Sequence, residues 1–308
     1  WLAVGVLAYF HLFWAGLGMG LWLRARGVGV GAFVGMGLWM LSLFFVSWLP
    51  LSSVPATLSW FGWLLWGLEM VRARGVGLFV AFGLPLGLML MAGHLQFAFY
   101  GVLLSLLYAL WLGYETRAQG KLWQYGLAVG LGYLLGGVFA SVQVLPALEL
   151  AGYSHRQSPP TEAGYEAYVR TALPLFHLIT AYFPTAFGDP RAGGYWGAVH
   201  YAELALSVGA FGWLLALMGV RRRGQQMLWL GVGLLALLIA LGTPLTRLLY
   251  FYVPGFSATG SPARILCLWV LSMAVLAAYG AQEPRAWRTA LGAWLAILAG
   301  TLLLTLTT

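Results

Sequence analysis

The chain has 308 residues, 61% of them hydrophobic and only 8% charged, and its mean hydropathy is +0.85. Ordinary soluble domains carry about 25% charged residues, so this composition excludes one and points to a bilayer. The 16 Lys and Arg against 8 Asp and Glu leave a net charge of +8, yet the basic residues form short scattered runs such as Arg221-Arg222-Arg223, which is no nucleic-acid stripe. A single cysteine, Cys267, excludes an internal disulfide. The 42 Gly suit close-packed membrane helices, and the 16 Trp and 15 Tyr suit interfacial belts. With no initiator Met and an apolar run to the last residue, the sequence reads as a fragment cut at both ends.

A spanning helix needs roughly 20 predominantly apolar residues. Ten such stretches follow one another, at about 2–23, 31–49, 55–71, 76–93, 95–113, 122–147, 202–220, 227–242, 264–281 and 288–307. The expected fold is therefore all-α and polytopic, with six spans in residues 1–147 and four in 202–308. Between them, 148–201 is the one connection long enough to build a helical and loop segment outside the membrane. No stretch reads as a signal peptide.

Positive charge resists translocation, so the basic loops are cytoplasmic. Alternate connections divide the basic residues unequally. Arg24, Arg26, Arg72, Arg74, Arg117, Lys121, Arg221, Arg222, Arg223, Arg285 and Arg288 fall on one side, and Arg156, Arg170, Arg191, Arg247 and Arg264 on the other. The first side is cytoplasmic by this rule, and 148–201 with 243–263 faces outward. The excess of +8 is topological. The string Arg24-Ala25-Arg26-Gly27-Val28-Gly29 recurs as Arg72-Ala73-Arg74-Gly75-Val76-Gly77, either a duplicated hairpin or two convergent anchor turns. Charges stay at span ends; Glu69, three residues before Arg72, reads as an i,i+3 pair. A chain without a charged path through the membrane is poorly suited to ion coupling, and attention moves to the outer face.

On that face, Glu149 ends the sixth span and Arg156 follows, able to pair with it or to hold a phosphate oxygen. Thr161 is placed to cap a surface helix whose Glu162, Glu166 and Arg170 share one solvated face. Residues 183–197, rich in Gly, Pro and aromatics, read as a loop; it carries Asp189, the sole Asp, and offers Tyr195 and Trp196 as a stacking surface for a sugar or isoprenoid. His200 and Glu203 stand at the entry to the seventh span, where Glu203 serves as a base or anchors the helix start. Arg264 opens the ninth span at its N-terminal end, where the helix dipole favours an anion; that misfit points to a bound phosphate. No metal-ligand motif or nucleotide loop occurs.

These outer residues, in order, resemble the YfhO family of bacterial membrane proteins over nearly the whole chain. The resemblance rests on Ala92-Gly93-His94-Leu95-Gln96, Leu145-Pro146 with Glu149, Ser154 and Arg156, Pro184 with Phe187-Gly188, Tyr195-Trp196-Gly197, Tyr201 with Glu203, and Pro254-Gly255-Phe256 with Pro262-Ala263-Arg264. That family in turn resembles the GT-C superfamily of polytopic glycosyltransferases. The resemblance implies transfer of a sugar from a polyprenyl-phosphate donor to a cell-envelope acceptor, such as lipoteichoic acid or another glycopolymer or glycolipid, on the outer face of the plasma membrane. Arg264 and Arg156 would bind phosphate. Glu203, Asp189 and His200 are the catalytic candidates, and Glu149, Tyr195, Trp196, Tyr252 and His94 the substrate-binding ones. GT-C enzymes usually carry a catalytic carboxylate in a first outer loop, which here would precede Trp1. The resemblance fixes no cofactor, and a divalent metal is compatible with this scheme. Membrane lipids are the other expected partners. The alternative is a lipid or polysaccharide transporter that makes no bond; a cavity crossing the whole membrane would favour it.

Overall fold

The computed structural model describes residues 2–153, 159–198, 200–220 and 224–283, together with 285, 287–289, 291–296 and 299. Among the described residues the protein is all-helical. Thirteen helices follow in chain order: α1 (Leu2–Ala25), α2 (Gly31–Met40), α3 (Leu43–Ser47), α4 (Ser53–Leu58), α5 (Phe61–Arg74), α6 (Phe79–Met91), α7 (Leu95–Thr116), α8 (Leu122–Gly152), α9 (Glu162–Val169), α10 (Ala210–Gly219), α11 (Gln225–Ala240), α12 (Pro244–Tyr252) and α13 (Leu266–Gly280).

Among the described residues, four helical stretches are long and apolar enough to cross a membrane: Leu2–Ala25, Leu95–Gln119, Leu122–Gly152 and Pro262–Gly280. A fifth crossing arises if α11 and α12, bent by 87° at their junction, count as one. The nine of the ten expected stretches that fall on described residues are all helical at least in part, but several are interrupted. The stretch 31–49 divides into α2 and α3, and 55–71 breaks between α4 and α5. In 202–220, a short 3-10 turn, Tyr201–Leu204, gives way to non-helical backbone over 205–209 before α10 begins. Residues 202–208 are nevertheless buried, and Leu43 N donates to Ser207 O at 3.3 Å. Buried irregular backbone survives only where its polar groups find partners in the protein. Helix α8 runs on to Gly152, with Pro146 inside it, so residues 148–152 continue the helix of the sixth stretch.

Helix α13 is the centre of the bundle. All fifteen of its residues are buried, so this helix is apolar on every side and touches neighbours all round. It packs against α10, α11 and α2. Small residues make that approach possible, since a Cβ at Gly280 would overlap the Leu215 carbonyl and one at Gly219 the Leu276 carbonyl. Backbones this close pack by van der Waals contact, which must hold helices together where lipid removes the hydrophobic drive.

Both copies of the repeated string end a helix in the same way. Gly27 and Gly75 follow α1 and α5 with φ of 76° and 85°, a left-handed conformation in which a Cβ would be strained. The two strings then diverge, for α2 starts at Gly31 whereas a 3-10 turn, Val76–Leu78, follows Gly75.

Candidate functional site

Polar side chains gather at the two ends of the bundle. At the end where α1 and α5 terminate, Glu69 is 1% exposed and lies between two cations, Arg26 at 3.2 Å and Arg72 at 2.8 Å. Arg26 also binds Glu115 through Nη1 and Nη2, each at 3.0 Å, and donates from Nε to Gln225 Oε1 at 2.8 Å. Tyr108 donates to Glu69 and accepts from Trp22 Nε1, while Tyr279 donates to Gln225 Oε1 at 2.6 Å. The expected Glu69–Arg72 pair is present, but it is one edge of a buried network joining α1, α5, α7, α11 and α13. Two carboxylates balance two guanidiniums, and this satisfies the condition on which buried charge is tolerated.

The opposite end carries the candidate site. Arg264 lies in the 3-10 turn Pro262–Ile265 that leads into α13. Its Nε and Nη2 are each 2.8 Å from Glu203 Oε1, and its Nη1 donates to Gln96 Oε1 at 3.0 Å. Gln96 is itself fixed: its Nε2 donates to Tyr100 Oη and to the Ser261 carbonyl, and its Oε1 accepts from Gly260 N. The guanidinium stands 5.7 Å from the ring centroid of Trp48, a cation–π contact, and His200 stacks on Trp48 at 5.4 Å. The Trp48 Nε1 has no hydrogen-bond partner among the described residues. His94 caps α7, its Nδ1 accepting from Phe97 N. Burial, and after it the Arg264 charge, holds the His94 imidazole down to about 4, so it is neutral at pH 7.

The expected site residues thus separate into groups. Arg264, Glu203, His200 and His94 come together around Trp48 and Gln96. The electrostatic misfit of Arg264 at a helix start is answered within the protein by Glu203, and Glu203 anchors this arginine rather than the start of a seventh span. Asp189 lies elsewhere, in an exposed loop, where it pairs with Arg191 and accepts from Arg191 N at 2.8 Å. Tyr195 donates to Ala198 O at 2.9 Å and borders a small cavity with Phe187 and Tyr201. Trp196 is 70% exposed and packs edge-on against Phe187. Glu149 is exposed near the end of α8, and Tyr252, 80% exposed, closes α12; neither bears a contact to the Arg264 cluster. Arg156 lies outside the described residues. Thr161 caps α9 as expected, accepting from Gly164 N at 3.1 Å, and Glu162 of the solvated face pairs with Arg247.

Among the described residues, no group of three or more His, Cys, Asp or Glu is placed to hold a metal. Gln96 and Trp48 were not singled out as site residues. The signal for Gln96 is its place, second residue of a mostly apolar helix and two residues after His94; Trp48 carries no local signal. Comparison with protein-family models, curated proteins and solved structures yields no match.

Proposed function

We propose that the protein is a GT-C-like membrane glycosyltransferase of the bacterial plasma membrane, moving a sugar from a polyprenyl-phosphate carrier to an envelope acceptor such as lipoteichoic acid. The ten apolar stretches would each occupy membrane depth, several as broken helices, with the Arg264 end facing outward by the positive-inside rule. The observation that carries this reading is the Arg264–Glu203 pair, held by Gln96 and set beside His200 and a neutral His94.

The pair supplies both halves of the chemistry. Arg264 offers a planar fork suited to phosphate, and Glu203 occupies that fork in the resting protein. A donor phosphate arriving at Arg264 competes with Glu203 for the same donors. The released carboxylate then accepts the proton of the acceptor hydroxyl as its oxygen attacks the anomeric carbon, while the bond to the carrier phosphate breaks and Arg264 balances the departing charge. A bundle centre filled by α13, with all its residues buried, favours this over the transport alternative, which needs a continuous path.

Transfer of radiolabelled hexose from polyprenyl-phosphate in proteoliposomes tests the reading. Glu203→Gln keeps an acceptor for Arg264 but not a base, and should lower turnover about 100-fold or more with donor binding retained. Unchanged turnover in Glu203→Gln removes Glu203 from the chemistry.

A further inference from the structure

His177 sits in the 3-10 turn Leu175–Ala181, 1% exposed, with Ala198 rather than the Arg264 cluster as its hydrogen-bond partner. Its Nε2 accepts from Ala198 N at 3.0 Å. A ring nitrogen that accepts carries no proton, so in the neutral imidazole the proton is on Nδ1. Burial lowers the pKa of this histidine, which keeps the ring neutral. The Nδ1–H is a buried donor without a partner among the described residues, and such a group is destabilising unless something accepts from it.

The imidazole lines a cavity of about 10 Å³, walled by Phe187, Tyr195, Tyr201, Thr180 and Pro184. That space holds one water or one hydroxyl. Among the described residues no charged side chain lines it, so a neutral acceptor suits it better than an anion. Two of its other polar groups are already engaged, with Thr180 donating to His177 O at 2.7 Å and Tyr195 to Ala198 O at 2.9 Å. Phe187 lies 4.2 Å from the imidazole and 4.9 Å from Trp196, whose ring is mostly exposed. An exposed aromatic ring therefore stands one side chain, Phe187, away from a hydroxyl-sized slot bordered by an imidazole with a spare donor.

We propose that this slot is a saccharide subsite, in which a sugar ring lies against Trp196 and one of its hydroxyl oxygens accepts from His177 Nδ1. The choice of a sugar rests on the transfer reading; the slot, the donor and the aromatic plane do not. The subsite is separate from Arg264, and it suits recognition of an acceptor or donor ring rather than bond making.

The test uses the full chain in lipid nanodiscs, labelled with 15N-histidine, and three simple probes: methyl β-glucoside, methyl α-mannoside and methyl β-N-acetylglucosaminide. At least one should bind in the millimolar range by saturation-transfer NMR and shift the His177 Nδ1–H signal. Trp196→Ala, at an exposed position, should weaken that binding at least fivefold, and His177→Phe at least tenfold. Should His177→Phe fail to fold, Trp196→Ala and the 15N shift still decide. Binding at wild-type strength in Arg264→Lys supports a subsite distinct from the transfer centre. Loss of transfer in that variant leaves the subsite standing. No binding of any probe, binding indifferent to both aromatic and histidine changes, or a His177 signal that responds only to water would overturn the subsite while leaving the transfer reading to its own assay.

Discussion

Arg264 and Glu203, 61 residues apart in sequence, meet through two guanidinium nitrogens that share one carboxylate oxygen at 2.8 Å. Their contact ties the turn before α13 to the non-helical approach to α10. The carboxylate is almost fully enclosed while the arginine side chain stays 25% exposed, so one partner is anchored and the other is reachable.

The pair should therefore be coupled in stability as well as in chemistry. Arg264→Met and Glu203→Gln should each lower stability by about 1–3 kcal/mol, short of the full cost of a wholly buried pair because Arg264 keeps some solvent. The double variant should cost less than the two together, with a coupling of about 1–2 kcal/mol in a denaturation cycle in detergent. Strict additivity would show that the contact does not hold the fold.

The network at the other end predicts a sharper asymmetry. Glu69→Leu leaves Arg26 and Arg72 facing a buried gap, and Tyr108 without its acceptor, and should cost about 3 kcal/mol or more. Arg72→Ala removes a cation that is 27% exposed and should cost about 1 kcal/mol or less. Equal losses in thermal melts would contradict the burial assigned to Glu69.

Two glycines should respond in opposite directions. Gly280→Ala drives a methyl into the Leu215 carbonyl and should destabilise by about 1–3 kcal/mol. Gly137→Ala, in α8 with open space around the new methyl, should stabilise by about 0.5–1 kcal/mol through helix propensity. Melting the two variants side by side reads the sign directly.

His94 gives a pH dependence. Its pKa of about 4 in the folded protein is below the ordinary value of about 6.5, so the unfolded chain binds the proton more readily. Its contribution is fully present above pH 6.5 and declines as pH falls from there toward 4. His94→Asn keeps a capping acceptor without the titration. Melting temperatures measured from pH 7.5 to 4 should fall less steeply for this variant than for the wild type, and parallel curves would remove His94 as the cause.

Hydropathy made the helical class and the positions of the apolar stretches legible, because burial in lipid demands long apolar runs wherever the chain crosses. It did not reveal continuity. Residues 202–220 are as apolar as any span, yet 205–209 leave the helix, since apolarity records the surroundings of a side chain and not the hydrogen bonding of its backbone. Local spacing likewise found Glu69 with Arg72, three residues apart, and missed Arg26 with Glu115, which are 89 apart. At the candidate site, charge and helix polarity marked Arg264 as misplaced, but its two partners come from α7 and from the turn before α10. Only the folded bundle brings Gln96 and Glu203 to one guanidinium. Trp48 had no chance of recognition, because its role depends wholly on the cation above it.

Helix α13, enclosed on every side, is also the last of the thirteen to leave the ribosome. Chains acquire structure from the N-terminus as they are made, so α2, α10 and α11 must wait with an open seam along the faces that α13 will fill. Until residue 280 has been inserted, the Glu203 carboxylate and the Gln225 amide lack their distant partners, Arg264 and Tyr279. Completion of the polar clusters at both ends is thus timed by one late helix, and a stalled or shortened chain would leave Glu203 without Arg264 while Gln225 kept Arg26 and Tyr108.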